Sequence, residues 1–215
     1  MDKMDQLLAK WKEEVSAESD HFVEDGIICQ EGWNAAERKI LFILKETNGY
    51  NKSITKLINI AVTDRKDSAL WKRPTFHNIG RWGFGLLNIS TEAPPYKAAN
   101  KERKNSLLSC AFINIKKTSG GRTAGKEVSS NAEKYASYLR EQIEIISPDI
   151  IVFGGTYKIM KKHVLPEMEH EAHRIHKYKN TICINANHPA CTKKRTTMYD
   201  QVIGSYANYI KDLSS

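Results

Sequence analysis

The chain has 215 residues, 40% of them hydrophobic and 27% charged. That balance excludes wholesale disorder and a fibrous repeat, and the length is enough for one good core. Lys and Arg number 33 against 25 Asp and Glu, a formal charge of +8 that favours a polyanionic partner such as nucleic acid.

Met4, Leu7, Leu8, Trp11 and Val15 stand at helical spacing, so an amphipathic N-terminal helix is predicted over about residues 4–20. A loop with Asp25-Gly26 and Glu31-Gly32 follows. The run Lys39-Ile-Leu-Phe-Ile-Leu44 is continuously apolar and of strand length, which suits a strand buried on both faces of a parallel sheet. It stops abruptly at Lys45-Glu46-Thr47-Asn48-Gly49. Residues 52–64 read as a helix with Ile54, Leu57, Ile58 and Ala61 on one face. Residues 70–106 are less regular, being rich in aromatics and broken by Pro74, Pro94 and Pro95.

The second strand is predicted at Leu107–Ile115, leading into a flexible basic loop, Lys116–Lys126. Ser129 or Ser130 resembles an N-cap, with Glu133 as a capping-box partner, and the helix runs to about Ile146 before Pro148. Asp149–Phe153 is the third strand, closed by Gly154-Gly155, with a helix from Thr156 to about Val164. Residues 170–179 read as a short edge strand or the end of that helical region. Thr181–Asn185 is the fourth strand, ending in Ala186-Asn187-His188-Pro189-Ala190, and a last helix covers about 195–212. Strand and helix alternate, which predicts an α/β fold over 1–215 as a single domain: a three-layer α/β/α sandwich around a central, mostly parallel four-stranded sheet. Ligands of such sheets bind beyond the carboxyl ends of the strands.

No apolar run approaches the ~20 residues a membrane-spanning helix needs, so no membrane partner is expected. MDKMDQLLAKWKEE has no apolar signal core, so no secretory peptide is expected either. Cys29, Cys110, Cys183 and Cys191 form no C-x-x-C, which reads as reduced thiols in a cytoplasmic protein, with no iron–sulfur cluster.

Gly120–Lys126 nearly satisfies the phosphate-binding G-x-x-x-x-G-K-[ST] pattern, but Glu127 stands where a hydroxyl should hold magnesium. A carboxylate there repels phosphates, so the segment reads as a basic loop, and a nucleotide-binding phosphotransferase ranks as a third reading. His170-x-x-His173-x-x-His176 lacks the spacing of a helical zinc pair and reads as a solvated histidine-rich segment, so no metal is expected. Glu46 and His188 each stand just past a buried strand, where a carboxylate and a histidine facing one pocket can serve hydrolysis.

The ordered set resembles the uracil-DNA glycosylase superfamily. Leu44-Lys-Glu46-Thr-Asn48 looks like that family's first turn, with Glu46 at the water-activating position. Ala111-Phe-Ile-Asn114 resembles the strand ending in a base-reading asparagine. Ile146-Ser-Pro-Asp-Ile-Ile-Val-Phe-Gly-Gly155 is similar to the family's central strand, and Asn187-His188-Pro189-Ala190 to its last motif, with His188 stabilising the departing base. Arg73-Pro-Thr-Phe76 through Gly80–Leu87 resembles a segment in which Phe76 would stack on the base. Together these span roughly residues 38–205.

The resemblance implies a monofunctional enzyme that flips a base out of DNA and hydrolyses its glycosidic bond without a cofactor, in repair or antiviral defence. It implies Glu46 and His188 as catalytic residues and Asn114, Phe76 and Asn48 around the base. Lys45 and Thr47 replace the usual Gly and Pro of the first turn, and Ala190 the common Ser, which extends the expected substrate from uracil to modified pyrimidines. Lys116, Lys117, Arg122, Lys193, Lys194 and Arg195 are expected to hold DNA phosphates from the same edge. A monomer is expected. For Phe76 core packing is the competing reading, and for Asn114 a backbone hydrogen bond. The alternative function is a non-catalytic DNA-binding relative that senses an extruded base.

Overall fold

The computed structural model describes residues 2–16, 21–64, 69–90, 92–120 and 125–214. Its strands are β1 (Gly26–Ile27), β2 (Ile40–Leu44), β3 (Cys110–Asn114), β4 (Ile150–Gly154), β5 (Glu169–Ala172), β6 (Ile175–Tyr178) and β7 (Thr181–Ala186). Its helices are α1 (Lys3–Ser16), α2 (Gln30–Ala35), α3 (Ile54–Thr63), α4 (Pro74–Asn88), α5 (Tyr96–Glu102), α6 (Gly125–Lys134), α7 (Ala136–Ile146), α8 (Tyr157–His163) and α9 (Arg195–Ser214).

The sheet has seven strands among the described residues, in the order β1-β3-β2-β4-β7-β6-β5, rather than the four expected. The four expected strands are its parallel centre, β3-β2-β4-β7. The additions are antiparallel: β1 beside β3, and the β5–β6 hairpin beyond β7. The segment 170–179 is thus strand rather than helix. His170 and His176 are register partners across that hairpin, and among the described residues no three His, Cys, Asp or Glu side chains could hold a metal.

Every residue of β2, β3 and β4 is buried. Within β2 the faces alternate, as a period of two requires. Ile40, Phe42 and Leu44 join one apolar cluster with Ile58 of α3, Trp82 of α4 and Val202 of α9. Leu41 and Ile43 join the other with Trp11 of α1, Leu139 of α7 and Met160 of α8. A strand covered on both sides has no polar face to show, which is why it reads as an unbroken apolar run.

Several boundaries differ from expectation. The helix predicted through Ser130 to Ile146 is two helices, α6 and α7, meeting at Tyr135. Ser130 is no cap: it lies inside α6 and its hydroxyl donates to the Lys126 carbonyl. The second strand is shorter than Leu107–Ile115, because Asn105–Ser109 forms a 3₁₀ turn. The irregular stretch 70–106 holds α4 and α5. Pro74 opens α4, where its missing N–H costs nothing. A Cβ at Gly80 would sit 1.8 Å from the Arg103 carbonyl oxygen, so the glycine that weakens the helical pattern is what lets α4 pack there. The four cysteines are free, and no helix among the described residues is long and apolar enough to cross a membrane.

Candidate functional site

The parallel centre puts the carboxyl ends of β2, β3, β4 and β7 on one edge. β3 lies to one side of β2 and β4 to the other, the kind of reversal at which open α/β sheets leave a crevice. A cavity of about 650 Å³ opens there. Glu46, Asn48, Phe76, Asn114 and His188 all line it, together with Tyr50.

The loops after β2 and β3 run side by side. The Ile115 and Lys116 amides donate to the Leu44 and Lys45 carbonyls, and the Gly120 amide donates to the Thr47 carbonyl. Asn48 and Gly120 form a parallel bridge. This pairing seats the Glu46 carboxylate against bare backbone: a Cβ at Gly120 would stand 2.0 Å from Glu46 Oε2. Lys116 Nζ lies 3.3 Å from that oxygen and 2.7 Å from Glu127 Oε2. Glu46 Oε2 is buried, and the Lys116 ammonium is the partner beside it. Burial lifts the Glu46 carboxyl above its usual range, and the Lys116 ammonium pulls it part of the way back.

Asn114 ends β3, paired in register with Leu44, and is 1% exposed. Its backbone is clamped. The Asn114 N–H donates to Asp25 Oδ2 at 2.8 Å, and its carbonyl accepts from Lys117 Nζ at 2.9 Å. Lys117 and Asp25 pair at 2.6 Å, and Gln142 bonds to both. The side-chain amide is the opposite case: Nδ2 and Oδ1 are both buried and, among the described residues, both without a hydrogen-bond partner. The backbone bond considered for this amide is absent.

His188 and Pro189 form the turn after β7. The Ala190 N–H donates to His188 Nδ1 at 3.2 Å, so that nitrogen carries the lone pair and the ring proton sits on Nε2. Burial first, and then the Lys45 charge, lower the His188 pKa, keeping the ring neutral. The turn is held from two sides. Gly154 at the end of β4 has no side chain, and a Cβ there would stand 3.0 Å from Pro189 Cδ and 2.1 Å from Leu44 Cδ2. From α4, Asn78 Nδ2 donates to the Pro189 carbonyl at 2.6 Å. Arg81 fixes which way Asn78 points, donating from NH1 to Asn78 Oδ1 at 2.8 Å.

Phe76, on α4, is 9% exposed: it joins the core cluster, as the competing reading expected, and it also lines the cavity. Its ring centroid is 6.1 Å from that of Phe112.

The basic residues divide. Lys193, Lys194 and Arg195 are exposed where the His-Pro turn enters α9. Lys116 is at the site, but its ammonium is taken up by Glu46 and Glu127. Lys117 is a correction. It is 2% exposed and locked to Asp25 and Gln142, so it cannot reach a phosphate. Arg122 lies outside the described residues.

Sequence reading missed the supporting groups: Asp25 and Gln142 behind Asn114, and Asn78 and Arg81 behind the His188 turn. It also missed Tyr50 and Arg73 in the cavity wall. Asp25 stood in an Asp-Gly loop and carried no signal of its own. No family model matches the chain, and no curated protein matches it either.

Proposed function

We propose that this chain is a three-layer α/β/α DNA glycosylase that excises uracil or a modified pyrimidine by hydrolysis. The observation that carries the reading is the buried, unpartnered Asn114 amide in the same cavity as Phe76, Glu46 and His188. Leaving an amide buried without partners costs roughly 1–3 kcal/mol for each group, and a ligand edge offering a donor and an acceptor removes that cost.

In this reading a nucleotide leaves the stack and its base enters between Phe76 and the Asn114 amide. The C1′–N1 bond breaks with its electron pair going to the base. His188 Nε2–H donates to the base oxygen where that charge develops. The ionised Glu46 carboxylate faces the cationic sugar and orients water toward C1′. Water adds its oxygen to C1′ and releases a proton to solvent. The exposed Lys193, Lys194 and Arg195 hold the phosphates beside the flipped nucleotide.

The test is abasic-site formation on oligonucleotides carrying uracil or modified cytosines and uracils. Release of at least one base is expected, falling by about 10²–10³ in Glu46→Gln, on the scale of losing one preorganised electrostatic group. A chain that binds these oligonucleotides and releases no base acts as the sensor instead, and the catalytic reading fails.

A further inference from the structure

Among the described residues no group sets the orientation of the Asn114 amide. The residue cannot shift, because Asp25 and Lys117 hold its backbone N–H and carbonyl. The amide itself can turn: neither Nδ2 nor Oδ1 has a partner that would favour one orientation. The torsion that turns it joins a tetrahedral to a planar carbon and is broad and roughly two-fold. A half-turn exchanges donor and acceptor at one location.

We infer that the cavity reads 4-oxo and 4-amino pyrimidines alike. The inference rests on the glycosylase reading of this site. A uracil-type edge presents an O4 acceptor beside an N3–H donor. A cytosine-type edge presents an N4–H₂ donor beside an N3 acceptor. One amide orientation satisfies the first edge, and the flipped orientation satisfies the second. Each pair makes two hydrogen bonds, so the amide gains the same number from either base. A pocket built around a fixed donor and acceptor behaves differently, rejecting the mismatched analogue by roughly 10⁴ or more because a buried group is left unpaired. Choice between bases in this protein therefore falls on the other walls of the cavity. Those near the Glu46 and His188 end meet the ring where both base types are the same. Tyr50, Leu57 and Leu70 belong to that remaining lining.

The test uses single-stranded oligonucleotides with one central base in two matched pairs: uracil with cytosine, and 5-hydroxymethyluracil with 5-hydroxymethylcytosine. Affinities are measured by fluorescence anisotropy on the Glu46→Gln variant, so that the base stays attached. An oligonucleotide with an abasic analogue gives the base-independent part. Within each pair the dissociation constants are expected to differ by less than tenfold. Asn114→Ala is expected to weaken both members of a pair by the same factor and to leave the abasic oligonucleotide unaffected. A tenfold or greater preference within a pair overturns the inference, as does an Asn114→Ala loss confined to one member. Even-handed binding with no release by the wild-type protein sustains the inference and sinks the catalytic reading. Release of one base with tenfold or greater selective binding does the reverse. Binding of every base no tighter than the abasic analogue overturns both.

Discussion

Lys116 Nζ lies 3.3 Å from Glu46 Oε2, with both side chains nearly shielded from solvent, at 11% and 8% exposure. The pair bears on the protonation of Glu46, whose carboxylate lines the cavity. Burial alone would keep Glu46 protonated to a higher pH, and Lys116 opposes that.

Lys116→Met therefore moves the acid limb of the kcat–pH profile toward higher pH. The sign follows from the roles. In the glycosylase reading proposed above, activity needs ionised Glu46, so it is present above the Glu46 pKa and lost as pH falls through it. Removing the ammonium raises that pKa further. The same raised pKa means that folding is favoured below the ordinary carboxylate pKa and loses that contribution as pH rises through the folded value. A rate profile with an unmoved limb, or one moved to lower pH, rules out this role for Lys116.

His188 makes a different prediction because its ring is already neutral. Protonating Nδ1 would require giving up the Ala190 N–H, and burial and Lys45 act against it as well. The histidine is expected to add no second limb at or above its ordinary pKa. His188→Ala should lower kcat by about 10²–10³ with little change in KM, as for loss of one preorganised donor to developing charge. An equal loss carried entirely in KM would place His188 in ground-state binding instead.

Asn78 separates positioning from stability. Its amide links buried Arg81, 3% exposed, to the Pro189 carbonyl. Asn78→Asp keeps the size and gives Arg81 a carboxylate, but it removes the donor to Pro189. The melting temperature should fall by only a few degrees, because the Arg81–carboxylate pair offsets part of the lost Pro189 hydrogen bond. The kcat should fall about 10- to 100-fold, the equivalent of roughly 1–3 kcal/mol for an unmade buried hydrogen bond, while KM holds. The ¹⁵N shifts of the His188 ring should move toward a mixture of tautomers as the turn loosens. Unchanged ring shifts with wild-type kcat would show that the turn stands without this link.

The contrast between what the sequence discloses and what it hides has a physical basis. Ile40–Leu44 and Ile150–Gly154 are legible because burial on both faces forces a continuous apolar run. The β5 segment Glu-His-Glu-Ala is mostly exposed and polar, and β1 has only two residues, so neither leaves such a trace. Glu46, Asn114 and His188 are legible as polar residues at strand ends. Their supports are not, because the links are distant in sequence: Asn78 and Pro189 are 111 residues apart, and Asp25 and Lys117 are 92 apart. Within a basic run a lysine reads as solvated, and only the fold reveals that Lys117 turns inward while Lys193, Lys194 and Arg195 stay in water.

That division predicts opposite phenotypes for two lysines of like charge. Lys117 is buried, and desolvation depresses its pKa against the pull of Asp25, so its charge depends on that partner. Lys117→Met leaves the Asp25 carboxylate buried without its cation, which costs about 3–5 kcal/mol of stability. It also frees the Asn114 carbonyl, so that residue loses its anchor along with the local fold. Lys194 is exposed and donates no side-chain hydrogen bond among the described residues. Lys194→Ala should leave the denaturation midpoint unchanged and weaken DNA binding uniformly across sequences. The slope of log affinity against log salt should become shallower by about 0.9, the contribution of one phosphate contact. Denaturant titration and salt-dependent anisotropy on the two variants check both halves. A stable Lys117→Met with a shallower salt slope would mean that Lys117 reaches DNA after all.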